Sequence, residues 1–187
     1  MKIEAILDAC RPDCEQERQD LRLMRLYLSK FDDLLLRTNE MAHFTASSWI
    51  VSPDRERVLM AYHNIYQSWS WTGGHADGDG DLLAVALREA REETAVQQVS
   101  PVLERPLSAE ILTVPAHWKR GAYVAAHLHL NVTYLLEADD RQPLAVKPDE
   151  NSDVRWFSLD EAVAASTEPE MRIVYQKLNG KLRALRS

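Results

Sequence analysis

Cysteine is scarce in this sequence, which contains only Cys10 and Cys14 among 187 residues. Two thiols in an intracellular chain are more often plain thiols than a disulfide. A zinc site built on this pair would need two further ligands, and no nearby histidine offers one. The cysteines therefore favour neither a disulfide nor a zinc site.

Long apolar runs are also lacking. No run approaches the roughly 18 residues that a transmembrane helix requires, and residues 1–20 lack the long apolar core of a secretion signal. Internal repeats, low-complexity tracts and linkers that would divide the chain are absent as well. We therefore expect one cytoplasmic domain of ordinary size, with no membrane partner.

Basic residues are outnumbered by acidic ones. The 22 lysines and arginines stand against 29 aspartates and glutamates, which gives a net charge of −7. Such a surface repels nucleic-acid backbones and anionic membranes, so neither is expected as a partner. A small phosphorylated substrate would then need a metal ion to reach its site.

The first 40 residues predict helices. Residues 2–9 favour a short helix, and Pro12 suits the first turn of a second helix that runs to about Leu36. That second helix carries a stripe of apolar residues at three- and four-residue spacing, namely Leu21, Met24, Leu28, Phe31 and Leu35. The stripe predicts a packing surface, against the rest of the chain or against a second subunit.

The most informative stretch is residues 71–96, WTGGHADGDGDLLAVALREAREETAV. At about 100° per residue, Glu89, Glu92 and Glu93 fall on one arc of a predicted helix, and Arg88 is placed to reach Glu92. Carboxylates so close together repel one another and usually need a cation between them; oxygen ligands suit Mg²⁺ or Mn²⁺. For an isolated segment of this kind, a solvated and salt-bridged helix face is the alternative.

This segment resembles the signature of the Nudix hydrolases, in which glycines, an Arg-Glu pair and further glutamates recur at fixed spacing. Gly74 is the opening glycine. The later positions that match are Arg88, Glu89, Ala90, Glu92, Glu93 and Val96.

Two positions depart from the signature. Gly80 replaces the early glutamate, and Asp77, Asp79 or Asp81 is expected to substitute for it. Ala95 replaces the late glycine, which predicts a different helix end, because alanine is less stable than glycine in a left-handed conformation. Neither departure touches the three glutamates.

The resemblance covers about residues 42–165 and implies the Nudix fold, an α/β/α sandwich with a mixed β-sheet. Residues 1–40 are then an N-terminal helical extension, and residues 41–187 a Nudix domain with a C-terminal helix. The resemblance also implies hydrolysis of a pyrophosphate bond in a nucleoside diphosphate linked to another group. Mg²⁺ or Mn²⁺ is the implied cofactor.

The same resemblance assigns roles to residues of the segment. The implied metal ligands are the backbone carbonyl of Gly74 and the side chains of Glu89, Glu92 and Glu93. Arg88 is counted with the catalytic residues.

An acidic loop near position 150 completes the expected site. It precedes a short tryptophan-containing strand, as in the family, and aligns Glu150 with a further glutamate of the site. Asp149 is a close rival, and a purely structural loop is the alternative. Glu150 or Glu92 is the candidate general base.

Candidates for substrate contact follow the motif. Lys119 and Arg120 in a predicted loop are candidate phosphate contacts and Trp118 a candidate stacking residue; an ordinary exposed loop is the alternative. The next run alternates apolar and polar residues, which predicts a strand with His127 and His129 on its polar face. A His-x-His pair can bind metal or substrate, or simply be partly buried or solvated.

Remaining patterns predict the surrounding elements. Residues 43–52 and 57–64 indicate a hairpin, and residues 109–114 and 154–157 further strands. Ser158 with Glu161 has capping-box spacing, and residues 168–185 predict an amphipathic helix that Gly180 kinks or ends. An aromatic cluster is expected to contribute to the core, with stacking of one ring on a base or another planar group as the alternative; its members are Tyr62, His63, Tyr66, Trp69 and Trp71.

Two other functions stay open at this point. Nudix-like domains also occur as non-catalytic nucleotide-binding sensors, although the intact arginine and glutamates of the motif argue against that role. A pure interaction module, whose N-terminal helix docks a partner, is the second alternative. The same helix and the frequent dimerisation of Nudix proteins favour a homodimer.

Overall fold

A computed structural model describes residues 2–119 and 121–185, with the side chain of Lys119 outside the description. Within these ranges the chain forms five α-helices and ten β-strands. The helices are α1 (Ile3–Ala9), α2 (Glu15–Leu28), α3 (Leu82–Thr94), α4 (Leu159–Ala165) and α5 (Pro169–Ala184). The strands are β1 (Ala42–Val51), β2 (Arg57–His63), β3 (Ser68–Ser70), β4 (Thr72–His75), β5 (Val99–Pro101), β6 (Ser108–Val114), β7 (His117–Lys119), β8 (Ala122–Val124), β9 (His127–Ala138) and β10 (Asn151–Ser158).

Eight of the described strands form one mixed sheet whose main path runs β10-β2-β1-β9-β5. Strand β3 pairs with β2, β4 with β1, and β6 with β9. Strands β1 and β9 run parallel, whereas the other pairings of this sheet are antiparallel. Helices pack on this sheet, so the predicted α/β class with a mixed sheet is confirmed.

Side chains that alternate along β1 and β9 give the sheet two unlike faces. Phe44 and Val132 are buried in a core cluster that also contains residues of α1, α2 and α3. On the other face, the Thr45 hydroxyl donates a 3.0 Å hydrogen bond to the Asn131 side chain. Further along that face, Trp49 stacks on an aromatic ring of α5. The polar part of this second face is where functional side chains can collect.

The N-terminal helices pack into the first core. The buried residues that they contribute include Ile6, Leu7, Leu21 and Met24. The predicted packing surface therefore lies against the chain's own domain. Helix α2 ends at Leu28, so the predicted end near Leu36 is wrong. Ser29 explains the difference, because its backbone N–H and its hydroxyl both bond to carbonyls of the last helical turn.

Buried charges join α2 to α5 across β6. Glu17 of α2 is 1% exposed, and its carboxylate lies 2.8 Å from the ammonium of Lys181. Glu110 of β6 is equally buried and lies 2.8 Å from the ammonium of Lys177. Ser108 donates a further hydrogen bond of 2.6 Å to Glu17. Each buried carboxylate thus has a cationic partner, which offsets the desolvation of its charge.

The helices at the C-terminal end follow the predicted pattern with one difference. Ser158 and Glu161 form the predicted capping box at the start of α4. Helix α5 continues through Gly180, so the predicted kink or end at this residue is wrong. Glycine lowers helix propensity by about 1 kcal/mol, but burial of Leu178 and Leu182 on either side outweighs that cost.

The predicted loop at residues 116–122 is instead part of a small hairpin. Strands β7 and β8 pair antiparallel, and Gly121 between them has a φ of +82° that suits a tight turn. In the described ranges, no helix combines the length and the apolar character that crossing a membrane requires.

Candidate metal centre and active site

Two glycines bring β4 close to its neighbours. A Cβ added at Gly74 would lie 2.4 Å from Cδ of Glu89 on α3. A Cβ added at Gly73 would lie 2.5 Å from Oγ of Ser47 and 2.8 Å from the carbonyl oxygen of Ala46. The absence of side chains here leaves space for the Glu89 carboxylate directly beside the strand backbone.

Aspartates in the preceding loop begin α3. Asp81 is the N-cap residue, and its carboxylate accepts a 3.1 Å hydrogen bond from the N–H of Ala84. Asp79 accepts a 2.9 Å hydrogen bond from the N–H of Asp81 and lies 3.6 Å from Arg88. Asp77 forms an ion pair with an arginine from the segment before β1. Asp79 and Asp81 thus stabilise the loop and the first helical turn.

Helix α3 ends in the left-handed conformation that a glycine usually adopts at this position. Ala95 occupies the C-cap position with a φ of +64°, and its N–H bonds to the carbonyl of Arg91 at 2.9 Å. The expectation of a different helix end is therefore wrong. The chain keeps the left-handed conformation with an alanine, at a cost of about 1 kcal/mol or more relative to glycine.

Three carboxylates converge beside the second half of α3. Carboxylate oxygens of Glu89, Glu93 and Glu150 all lie within 4.8 Å of one another. Glu93 is 5% exposed and accepts a 2.8 Å hydrogen bond from the N–H of Gly73. Glu150 comes from the loop before β10, so the group combines a helix with a distant segment.

Burial governs the protonation of this group in the metal-free protein. It raises the pKa of Glu93 to about 8 from an ordinary value of 4.5, and nearby Glu150 and Glu89 act in the same direction. The hydrogen bond from Gly73 acts against them. Burial also raises the pKa of Glu89, and the charge of Glu92 adds to this effect. Added positive charge would therefore favour ionisation of Glu93 and Glu89 at neutral pH.

Glu92 pairs with a lysine from the acidic loop. The ammonium of Lys147 lies 3.2 Å from Glu92 and 3.1 Å from Glu150. Burial opposes the charge of this ammonium, but its hydrogen bonds to both carboxylates raise the pKa of Lys147 overall. Arg88 lies 3.6 Å from Glu89 instead of at Glu92, so the predicted Arg88–Glu92 pair is wrong.

Lys147 and Asn151 hold the acidic loop against α3, and neither residue belongs to the motif. Asn151 is 1% exposed, and its amide group donates a 2.9 Å hydrogen bond to the carbonyl of Glu93. Its side-chain oxygen accepts a 3.1 Å hydrogen bond from the N–H of Lys147. A lysine directly before a Pro-Asp-Glu turn is a usable signal in the sequence, whereas no local pattern distinguishes Asn151.

These donors fit a hard divalent cation. Carboxylates and a backbone carbonyl are the oxygen ligands that Mg²⁺ and Mn²⁺ prefer. The raised pKa of Glu93 and that of Glu89 indicate that the site lacks the positive charge these carboxylates need. The residues present therefore fit the metal that the motif implies.

Comparison with known families supports this interpretation. A family model described as the NUDIX domain matches residues 41–178, which is most of the chain. The chain belongs to the Nudix family. A search of curated protein sequences found no match.

Solved structures with a similar fold include several Nudix proteins. An Ap4A hydrolase from C. elegans, in a binary complex, is 17% identical with a TM-score of 0.53, over 75% of this chain and 98% of that one. The dihydroneopterin triphosphate pyrophosphohydrolase of E. coli is 14% identical with a TM-score of 0.54, over 72% and 92%. The NUDIX domain of Shewanella oneidensis NrtR, complexed with ADP ribose, is 17% identical with a TM-score of 0.54, over 84% and 97%. At these identities the likeness supports the fold alone.

The Nudix domain exposes two aromatic rings on the β7–β8 hairpin. Trp118 is 72% exposed and packs edge to face against Tyr123, which is 63% exposed. Arg120 and the side chain of Lys119 lie outside the described residues. Trp118 therefore keeps an accessible ring face, as a stacking residue needs.

The predicted aromatic cluster divides between core and surface. Trp71 packs edge to face against Tyr175, which belongs to a second core cluster formed mainly by β1, β2 and α5. Trp69 packs against Phe157, and the guanidinium of Arg155 lies 4.7 Å from the centre of a Trp69 ring. Trp71 is thus a packing residue, and the ring of Trp69 is already covered by a cation.

His127 and His129 lie on the polar face of β9 in the Nudix domain. Their Nε2 atoms are 3.3 Å apart. His43 of β1 and His75 of β4, which the sequence analysis did not select, lie beside them with ring centres 4.9–5.1 Å from at least one of the pair. Burial lowers the pKa of His43, so this ring favours its neutral form. The structure thus brings the predicted pair to two further histidines.

Proposed function

We propose that this protein is a divalent-metal-dependent pyrophosphohydrolase that cleaves a nucleoside diphosphate linked to another group. The observation that carries the proposal is the convergence of Glu89, Glu93 and Glu150 beside the two glycines of β4. Membership of the Nudix family supports the reaction class. The raised pKa of the buried Glu93 supports the need for a cation.

The proposed ligands of that cation are Glu89, Glu93, Glu150 and the backbone carbonyl of Gly74, with Glu92 at the edge of the group. When bound, Mg²⁺ or Mn²⁺ supplies positive charge that neutralises the pyrophosphate and lowers the pKa of a coordinated water. The N–H of Gly73 fixes the Glu93 carboxylate, and Asn151 fixes the backbone next to it. These contacts preorganise the site.

Glu92 is the proposed general base, with Glu150 as the rival. Glu92 lies outside the group of three converging carboxylates, and its side chain is 47% exposed, so a substrate water can reach it. Lys147, shared with Glu150, holds the Glu92 carboxylate in position. A carboxylate placed there can accept the proton of an attacking water.

Arg88 is proposed to act through Glu89. Its guanidinium lies between Asp79 and Glu89, 3.6 Å from each carboxylate. Arg88 therefore ties the helix to the loop and limits the rotation of a metal-binding side chain. This positioning role explains why an arginine precedes the first glutamate of the motif.

Trp118 is proposed to recognise the nucleotide moiety of the substrate by stacking. The ring is exposed at 72%, and base stacking on an aromatic side chain contributes about 1–3 kcal/mol. Lys119 and Arg120 are the proposed phosphate contacts on the same hairpin, and His127 and His129 stay candidates for substrate contact. Some Nudix structures similar in fold concern Ap4A and ADP ribose, which makes dinucleoside polyphosphates and ADP-ribose the first compounds to test.

The deciding experiment measures hydrolysis with Mg²⁺ present. The panel comprises nucleotide sugars, ADP-ribose, dinucleoside polyphosphates and oxidised nucleoside triphosphates, with the products separated by chromatography. We expect turnover of at least one compound, and a loss of at least ~100-fold in kcat for Glu93→Gln, because that change removes a charged ligand. Glu104→Gln, at an exposed position outside the site, is the matched control and should keep full activity. Unchanged turnover in Glu93→Gln would remove the proposed site.

The same experiment separates the enzyme from a nucleotide sensor. A sensor would bind one of these compounds, as calorimetry would show, without converting it. The homodimer stays a prediction, and light scattering on the eluting protein should then give twice the chain mass of 21.4 kDa.

A further inference from the structure

Four histidines meet on the polar face of the sheet, in a group distinct from the three converging glutamates. His43 pairs in register with His129 of the parallel strand β9, and His75 pairs with the residue two positions after His43. The ring of His43 lies 4.9–5.1 Å, centre to centre, from those of His75, His127 and His129. The cluster therefore combines three strands, and no part of the Nudix motif beyond β4 is needed to form it.

His43 is the buried member of the cluster. It is 4% exposed, and its Nδ1 lies 3.0 Å from the carbonyl oxygen of Asn39. That carbonyl can only accept a hydrogen bond, so Nδ1 carries the proton and Nε2 carries a lone pair. Nε2 is buried and has no hydrogen-bond partner among the described residues. A buried nitrogen of this kind destabilises the fold unless something binds it.

His127 repeats this arrangement at the rim. Its Nδ1 lies 2.8 Å from the carbonyl oxygen of Ala125, which fixes the proton on Nδ1 and leaves a lone pair on Nε2. That Nε2 lies 3.3 Å from Nε2 of His129. Histidines that bind metals typically donate their other ring N–H to a carbonyl or carboxylate in this way. Two of the four rings are thus already held in the tautomer that a metal requires.

We propose that His43, His75 and His129 bind a borderline transition-metal ion such as Zn²⁺, with His127 in the fourth position. One ring nitrogen from each of the first three residues lies within 4.8 Å of the others. Tetrahedral bonds of 2.0–2.1 Å place ligand nitrogens about 3.3 Å apart, which is the separation found between His127 and His129. Rotation of the partly exposed rings of His75 and His129 closes the remaining gap.

The chemistry of the donors separates this site from the carboxylate site. Neutral imidazoles suit Zn²⁺, Cu²⁺ or Ni²⁺, whereas the glutamates suit Mg²⁺ and Mn²⁺. The two sites meet on β4, where Gly74 faces Glu89 and the next residue is His75. The protein would therefore hold two kinds of metal side by side. This proposal does not depend on hydrolase activity.

The test uses the whole chain, stripped of metal with a chelator and then dialysed against Zn²⁺ in the presence of excess Mg²⁺. We expect one Zn²⁺ per chain, and nitrogen ligands at about 2.0–2.1 Å by X-ray absorption spectroscopy. Co²⁺ used as a second probe should give the visible absorption of a tetrahedral site. His75→Asn and His129→Asn should each weaken Zn²⁺ binding at least ~100-fold.

Two controls make the assignment specific. His117→Asn changes a histidine of the β7–β8 hairpin whose Nδ1 also contacts a nearby carbonyl, and it should leave Zn²⁺ binding unchanged. Glu93→Gln should likewise leave it unchanged, because it alters only the carboxylate site. His43→Gln can be interpreted if it unfolds at the same temperature as the wild type. If it does not, the test depends on the variants at the two partly exposed positions, His75 and His129.

Three results would overturn the proposal. The first is a wild-type protein that binds no more Zn²⁺ than the combined His75→Asn, His129→Asn variant. The second is an absorption spectrum dominated by oxygen ligands. The third is Zn²⁺ binding that disappears with Glu93→Gln and persists in the histidine variants.

Discussion

Replacing Glu93 by glutamine should stabilise the metal-free protein at alkaline pH while it removes activity. Burial raises the pKa of Glu93 to about 8 in the folded state, whereas the ordinary value is 4.5. As the pH rises above 4.5, the unfolded chain releases this proton first, so the free energy of unfolding falls until the pH passes about 8. Below pH 4.5 the carboxyl group is protonated in both states, and the effect vanishes.

The size of the effect follows from the same difference. At 1.36 kcal/mol per pKa unit, the gap between 4.5 and about 8 corresponds to a ceiling of roughly 5 kcal/mol. Water and neighbouring side chains relax around an ionised carboxylate, so we expect at least ~2 kcal/mol of it to be measured. Glutamine does not titrate, and its side-chain oxygen can still accept the hydrogen bond from Gly73. The variant should therefore exceed the wild type in stability at pH 8–9 and match it near pH 4.5.

The assay is urea unfolding in a chelator, repeated from pH 4.5 to pH 9 for the wild type, Glu93→Gln and the exposed control Glu104→Gln. Mg²⁺ at 100 times its Kd should then stabilise the wild type by about 2.7 kcal/mol at pH 8, which reduces the advantage of the variant by that amount. Parallel pH profiles for the wild type and Glu93→Gln would refute the reasoning. So would a variant that is less stable than the wild type throughout the metal-free series.

Two further predictions concern residues that support the site. Ala95→Gly should raise the free energy of unfolding by about 1 kcal/mol, because residue 95 has a φ of +64°. Ala84→Gly, in the exposed first turn of α3, should instead lower the free energy of unfolding by about 0.5–1 kcal/mol. Thermal unfolding of both variants checks this pair, and equal effects would contradict the strain at residue 95. Asn151→Ala should lower the free energy of unfolding by about 1–3 kcal/mol and reduce kcat, because it breaks the buried hydrogen bonds to Glu93 and Lys147. A variant with wild-type stability would show that these bonds do not hold the loop.

Local patterns predicted much of the fold. The capping box at Ser158, the hairpin of β1 and β2, and the alternating strand β9 each depend on residues within a few positions of one another, and all three occur in the structure. The end of α2 was harder, because the apolar spacing continues past Leu28 although the chain leaves the helix at Ser29. The spacing of apolar residues alone does not show where hydrogen bonds from a polar residue end a helix.

The site was predictable where one short segment carries it. Glu89 and Glu93 share a helix, so their spacing alone places them together. Lys147 reaches Glu92 from 55 positions away, and His43 meets His129 through strand pairing over a longer separation. Such contacts depend on the register of the sheet. The sequence around either residue carries no pattern that predicts this register.

The paired charges between α2 and α5 have a practical consequence for anyone who wishes to shorten this protein. The family match starts at residue 41, yet the buried Lys181 of α5 has its counter-charge on Glu17 and a further hydrogen bond to the carbonyl of Arg11. Cutting the chain at the family boundary would remove both of these partners and uncover the apolar core that α1 and α2 cover, including the side chains packed against Leu21 and Met24. Whole domains often have only 5–15 kcal/mol in reserve. We therefore expect the smallest piece that folds to begin well ahead of the recognisable signature.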